Sequence, residues 1–486
     1  MPASVVFLAP VATVLSTQEL HAVTASGDNA ARGGTRPEPP DADVPEADPE
    51  PNASTPLLTP RDGVPSVIET PSALRAAASA LAGGTGPVAV DAERASGYRY
   101  GQQAYLVQLR REGGGTHLLD PKAVTDLSVL AEALEGTEWV LHAASQDLPC
   151  LREIGLSPER LFDTELAGRL LGHARVGLSS LLEEVLGYSL AKEHSAADWS
   201  TRPLPSSWLN YAALDVELLV ELRDALEIEL RDAGKLEWAL EEFDAARDAP
   251  PPPPRVDPWR RTSGMHKVRR PRQLAVIRSL WMRRDEIARS RDTSPGRILA
   301  DSAIVAATSQ TANMPAETAP GALASMPAFS GRGARRHLRE WQEAVAEALA
   351  LPESELPRPN LAVEGPPPPR SWADRDPDAA ARLSTARANL SAVAERHHLP
   401  VENLISPDLV RRLCWTLPAR RDEAAVTAIL LAGGARNWQV ALAVPALLPA
   451  LERVASDMIA ELDAAELDVA RDTAPPVASG DDVMLR

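Results

Sequence analysis

Asp91 and Glu93 stand on alternate residues just after an apolar run, Pro87 to Val90, in the stretch VAVDAERASGYRY (Val88 to Tyr100). Residues two apart in a strand share a face, so both carboxylates point the same way. Two anions held close together repel, and one takes up a proton unless a positive charge lies between them. A divalent metal ion would answer that repulsion. On this stretch alone a solvated strand end answers it equally well. A third acid, Asp147, follows a second apolar run in LHAASQDLPCL (Leu141 to Leu151); an Asp there also suits the N–H groups of a helix start. A fourth, Asp215, lies four residues after Tyr211 in WLNYAALDVELL (Trp208 to Leu219), in a helix that Pro205 and Ser206 open. Tyr211 and Asp215 therefore share one helix face. Taken singly, each of these stretches has an ordinary structural explanation.

The elements that must position these residues are readable from period. GPVAVDAE, AYLVQLR and THLLD read as three successive strands divided by turn signals, Gly113-Gly114-Gly115 among them. A helical pattern follows at Val124 to Leu134, and EWVLHAA (Glu138 to Ala144) reads as a fourth strand. From Asp147 to about Asp244 nearly everything has helical period. This order implies an α/β domain, a mixed sheet with flanking helices, over residues 64–247. Residues 1–60 are poor in periodic pattern, and RPEPPDADVPEADPEP (Arg36 to Pro51) is acidic and proline-rich, so a disordered leader is expected. Its start, SVVFLAPVATVL (Ser4 to Leu15), has the apolar look of a short signal segment, but no Lys or Arg precedes it. A proline-rich linker at 248–262, a helical segment at 266–350, a second proline-rich linker at 351–372, a further helical segment at 375–466 and a disordered tail at 472–486 complete the division.

The chain of 486 residues carries a formal charge of -18, which excludes a uniformly basic nucleic-acid coat but allows a local basic surface. Charge is unevenly spread. From Arg61 to Arg247 there are seventeen Lys or Arg against thirty Asp or Glu; from Arg255 to Arg297 there are thirteen against four. The basic stretch contains KVRRPRQ, and Lys267, Arg269, Arg270 and Arg272 are its candidate phosphate contacts. The two cysteines, Cys150 and Cys414, are far apart, which fits a reducing compartment rather than a disulfide framework. No apolar run is long enough to span a bilayer, so no membrane partner is expected and a cytoplasmic location is.

Joined, Asp91-x-Glu93, Asp147 and Tyr211-x-x-x-Asp215 resemble the DEDD 3′→5′ exonucleases. Asn210 stands where the histidine subtype has its His, which indicates the tyrosine subtype. VLHAASQDLPCL, FDTELAGRLLG, VGLSSLLEEVLG and DWSTRPLPSSWLNYAALDVELL narrow the resemblance to the ribonuclease D family, over about 64–245. LAVIRSLWMRRDEIARSRDTSPGRILADSAIVAAT (Leu274 to Thr308) resembles the HRDC domain, and 375–466 resembles a second, more divergent one. The resemblance implies a ribonuclease H-like mixed sheet followed by two small all-α, HRDC-like domains. It implies a 3′→5′ exoribonuclease releasing 5′-mononucleotides from RNA with a free 3′ end, tRNA precursors in particular, with no obligate protein partner.

Two divalent ions about 4 Å apart, Mg²⁺ or Mn²⁺, would serve such a hydrolysis. Asp91, Glu93, Asp147 and Asp215 would be their ligands, and the resemblance implies that Asp91 bridges both ions and that Glu93 also lies near the terminal ribose. Tyr211 would orient the attacking water. Other residues have plainer expectations. His142 is expected to be a packed, hydrogen-bonded histidine and Asp163 a helix cap, and His397-His398 lacks a partner at metal-ligand spacing. Trp199, Arg202 and Pro203 are expected to lock a loop, with a substrate contact from Arg202 as the alternative. Tyr98 and Tyr100 would either stack on a terminal base or pack at a strand edge. Two other functions remain open: an exonuclease acting on DNA ends, and a nucleic-acid-binding scaffold without catalysis.

Overall fold

The computed structural model describes residues 54–190, 196–311, 313–359 and 365–452. The leader before residue 54 and the tail after residue 452 lie outside them, as does the end of the second helical segment. Among the described residues there are eight strands: β1 Thr55–Leu57, β2 Val67–Ile68, β3 Thr85–Arg94, β4 Ala104–Glu112, β5 Gly115–Leu119, β6 Glu138–Leu141, β7 Arg160–Asp163 and β8 Tyr188–Leu190. Six of them form one sheet in the order β2-β5-β4-β3-β6-β7. The β3–β4 and β4–β5 pairs are antiparallel; the rest are parallel. The mixed sheet with flanking helices is therefore as expected. Its central strands are buried on both faces and apolar apart from Gln108: Val88, Ala89 and Val90 of β3 and Ala104 to Leu109 of β4 are all buried. Gly113 and Gly115 turn β4 into β5 with φ of 71° and 79°, left-handed values that favour glycine.

The stretch read as helical after Asp147 is interrupted. β7 adds parallel to β6, with Leu141 opposite Asp163. Four residues leave too little length for a strand period to stand out between helices. Ordered chain also begins earlier than residue 60. β1 pairs in parallel with β8, Asn210 donates to the Leu58 carbonyl at 2.9 Å, and Arg61 donates to Glu221 at 2.8 Å. Main-chain pairing to an existing strand needs no alternating side-chain pattern, which is why TPL gave no signal.

Two helical modules follow. The first is built on the helices Pro271–Ser290, Asp301–Thr311 and Leu338–Ala350 around its own core of Leu274, Ile277, Leu280, Ile304, Phe329 and Trp341. Trp259, inside the stretch read as linker, belongs to that core. The second is built on Pro377–Arg396, Pro407–Trp415, Glu423–Ala432 and Asn437–Glu452, and its apolar core runs continuously into that of the α/β domain. Trp438 stacks on Trp238 with ring centroids 5.0 Å apart, and its Nε1 donates to Glu242 at 3.1 Å. Arg436 pairs with the other oxygen of Glu242 at 2.8 Å. A Trp438→Ala variant is expected to lose about 3–5 kcal/mol of stability, measured by urea unfolding, with the α/β domain losing part of its cooperativity. Among the described residues no helix is long and apolar enough to cross a membrane.

Candidate active site

The site begins where β3 outruns its neighbour. β3 pairs with β6 at Val88 and Ala89, and its last residues continue unpaired on that side, so Asp91 and Glu93 lie beyond the β3–β6 pairing. Parallel sheets commonly place ligands at the carboxyl ends of their strands. The chain leaving β6 brings the next acid. Ala143 takes a left-handed conformation, φ 59°, and a short turn delivers Asp147 at the start of the Leu148–Glu153 helix. Asp163, at the end of β7, fastens that turn: its carboxylate accepts from the N–H of Ala143 at 3.0 Å and of Ala144 at 2.8 Å. It also caps the Thr164–Leu171 helix through Glu165 and Leu166. Burial pushes its carboxyl up to about 6. The expected helix cap thus also shapes the approach to Asp147, a role its motif did not disclose.

Tyr211 and Asp215 arrive on the Ser206–Asp215 helix. One carboxylate oxygen each from Asp91, Glu93 and Asp215 lie within 4.8 Å of one another. The fourth acid, Asp147, is not in that group of three. It is 5% exposed, and its Oδ1 is 3.4 Å from Arg94 Nη2. Arg94 also donates to the Gln146 carbonyl at 2.7 Å. Its place directly after Glu93 is the trace this arginine leaves in the sequence.

Burial dominates the electrostatics. It raises the Asp91 carboxyl, against a backbone hydrogen bond and Arg94. It pushes Glu93 up to about 10, assisted by the charges of Asp91, Asp215 and Asp147. Asp147 and Asp215 are both held well above the usual carboxylate range by burial and then by Asp91. Four crowded acids, Asp147 buried and the other three half-buried, cannot all ionise beside a single arginine without added positive charge. Their donor set is all oxygen, the set that hard divalent cations take, so the residues present fit such an ion. Tyr211 hydrogen-bonds Asp215, and burial followed by the charges of Asp215, Glu93 and Asp91 raises its phenol above the ordinary value. Its ring lies 6.4 Å from that of Trp199, which is fully buried.

The remaining candidates settle into structural positions. Arg202 donates to Asp120 at 2.6 Å and to the carbonyls of Trp199, Thr201 and Tyr105, each at 2.8 Å. Its guanidinium is thus committed to holding the loop, as expected, and not to substrate. His142 contacts Thr164 Oγ1 at 2.9 Å and is pushed down to about 4 by burial. His397 lies edge-on to Trp238. Tyr98 packs against the cluster of Ala95, Tyr105 and Leu106, in line with the strand-edge expectation, and both tyrosines also meet the first helical module. Tyr98 lies under the Arg297 guanidinium at 4.0 Å, and the Tyr100 hydroxyl donates to Asp285 at 3.0 Å. Both fasten the β3–β4 loop to the first helical module. Of the four basic candidates, Lys267, Arg269 and Arg270 are exposed, Arg270 reaching Asn313 at 3.0 Å. Arg272 turns inward instead, donating to the carbonyls of Leu349 and Leu351 at the end of the Leu338–Ala350 helix. Helix ends leave such carbonyls unpaired, and a nearby arginine satisfies them.

A family model described as "3'-5' exonuclease" matches residues 65–231, one described as "HRDC domain" matches 273–345, and one described as "3' to 5' exonuclease C-terminal domain" matches 365–451. Ribonuclease D of Pseudomonas paraeruginosa is 34% identical over 275 residues, covering 55% of this chain and 69% of that protein. Ribonuclease D of Acidiphilium cryptum is 32% identical over 315 residues, covering 63% and 77%. Among solved structures, a protein from Bifidobacterium adolescentis is 41% identical with a TM-score of 0.75, covering 82% of this chain and all of that one. Escherichia coli RNase D, described as an exoribonuclease involved in structured RNA processing, is 28% identical with a TM-score of 0.57, covering 80% of this chain and 98% of that one. With an exonuclease domain, an HRDC domain and relatives matched over most of their length, the chain belongs to the ribonuclease D family of 3′→5′ exoribonucleases.

Proposed function

We propose that this enzyme trims the 3′ ends of structured RNA, tRNA precursors among them, by two-metal hydrolysis at Asp91, Glu93, Asp147 and Asp215, with Tyr211 as a catalytic residue. The observation that carries the reading is the meeting of Asp91, Glu93 and Asp215 carboxylates within 4.8 Å, with a tyrosine hydroxyl bonded to the last of them. Two divalent ions held by the four acids would supply a nucleophilic water at neutral pH and stabilise the leaving 3′ oxygen. Attack of the water oxygen on phosphorus would break the P–O3′ bond, the water's proton passing to solvent and the leaving 3′ oxygen taking one up, so the product would be a 5′-mononucleotide. Tyr211 is a phenol, ordinarily protonated at neutral pH with a pKa of about 10, and its hydroxyl bonds Asp215. It therefore holds the water by hydrogen bonding and does not remove its proton. Arg94 keeps Asp147 in place through the 3.4 Å pair. Side-by-side digestion of 3′-tailed tRNA, single-stranded RNA and single-stranded DNA in Mg²⁺ and in Mn²⁺ tests the substrate. Release of 5′-mononucleotides from the tailed tRNA is expected; faster digestion of the DNA would favour the DNA-end reading instead.

The first helical module would hold the RNA upstream of its 3′ end through Lys267, Arg269 and Arg270, which project from it. Replacing these three with Gln is expected to reduce the slope of log affinity against log salt by about 2, at roughly 0.7 per single-strand phosphate contact. Turnover of a dinucleotide, too short to reach them, is expected to stay unchanged. Filter binding over a salt series measures the first effect and product release the second.

A further inference from the structure

We propose that Gln108 is a positioning residue that orients the Asp91 carboxylate; this deepens the proposed function and rests on its assignment of Asp91 as a metal ligand. The strand register places Gln108 of β4 directly opposite Asp91 of β3. Side chains directly opposite in an antiparallel pair stand on the same face, with Cβ atoms about 5 Å apart. Gln108 is fully buried, and neither Nε2 nor Oε1 has a hydrogen-bond partner among the described residues.

An amide orphaned at both ends is an unusual thing for a core to keep. Each unsatisfied buried polar atom costs stability, and an apolar side chain of the same shape would remove that cost. The neighbours show how unusual it is. Opposite Glu93, in the next position on this face, β4 presents Leu106, which is buried and apolar. Two residues the other way, Arg110 is engaged by Thr116 at 2.7 Å and Asp62 at 3.3 Å. Gln108 alone brings unsatisfied polar groups, and it brings them beside the acid common to the site. A carboxylate that binds metal is normally held by a hydrogen bond from outside the coordination sphere, and losing that bond typically weakens metal affinity 10- to 100-fold. The Gln108 amide, with two N–H donors, is placed to supply this bond, directly or through one water.

The test compares Gln108→Met and Gln108→Leu with wild type and with Asp91→Asn, in the full chain. Mn²⁺ binding is followed by electron paramagnetic resonance and thermal unfolding without metal by calorimetry. The proposal expects both Gln108 variants to unfold at or above the wild-type temperature while binding Mn²⁺ at least about tenfold more weakly. It also expects kcat to fall at limiting Mn²⁺ with KM for RNA unchanged, and saturating Mn²⁺ to restore kcat. Mn²⁺ affinity within twofold of wild type overturns it. Failure of both variants to fold overturns it equally, since the amide would then be holding the fold together. If wild type itself bound no Mn²⁺, the metal assignment would fail first, and the Asp91→Asn control separates that case.

Discussion

An Asp91→Asn variant is expected to lose about three orders of magnitude in kcat on a 3′-tailed RNA, equivalent to about 4 kcal/mol of barrier, while becoming more stable without metal. The two effects have one cause. Asp91 is the charge that raises Glu93, Asp147 and Asp215 together. Removing it relieves the repulsion that burial intensifies, and it also removes the oxygen around which the cluster is built. Metal-free Asp91→Asn is expected to melt a few degrees above metal-free wild type at pH 8. The sign of the pH dependence follows. These carboxyls have folded-state values above their unfolded ones, so their favourable contribution is complete below about pH 4, where unfolded carboxyls are protonated. It is lost as pH rises toward about 10, where Glu93 ionises. Metal-free wild type should therefore lose stability with rising pH, and added Mn²⁺ should restore more of it at pH 8 than at pH 6, because ions and protons compete for the same oxygens. Calorimetry with and without Mn²⁺ at the two pH values measures this; a variant as active as wild type, or one less stable without metal, would contradict it.

A Tyr211→Phe variant is expected to lower kcat about 100-fold to 1000-fold, within the range for losing one preorganised hydrogen bond to the reacting group, with KM and Mn²⁺ affinity little changed. The phenyl ring keeps its place against Trp199, so stability should be nearly unaltered. Because a phenol is ordinarily protonated below about pH 10, the pH–rate profiles of wild type and variant should run parallel below that pH. An alkaline limb present in wild type and absent in the variant would instead assign Tyr211 proton removal.

The carboxylates were legible because each sits in a short local pattern: alternate acids closing an apolar run, an acid opening a helix, a tyrosine and an acid one turn apart. What those patterns leave out is direction in three dimensions. Nothing in KVRRPRQ distinguishes Arg272, turned toward the carbonyls of Leu349 and Leu351, from Arg269, which faces solvent. Tyr98 and Tyr100 looked equally suited to a base or a strand edge, and only the packing of the first module shows that Arg297 and Asp285 take them. β7 was hidden by its length of four residues. Gln108 was hidden by its strand: in AYLVQLR nearly every residue is buried on one face or the other, so one polar residue carries no message until the register sets it against Asp91. The shared core around Trp238 and Trp438 joins residues 200 positions apart, beyond the reach of any local period.

The number of Mn²⁺ ions bound per chain, counted by electron paramagnetic resonance for wild type, Asp91→Asn and Asp215→Asn, tests the central claim most directly. Two ions for wild type and none for either variant at the same concentrations is the predicted result. Wild-type stoichiometry and affinity retained in Asp91→Asn would contradict it.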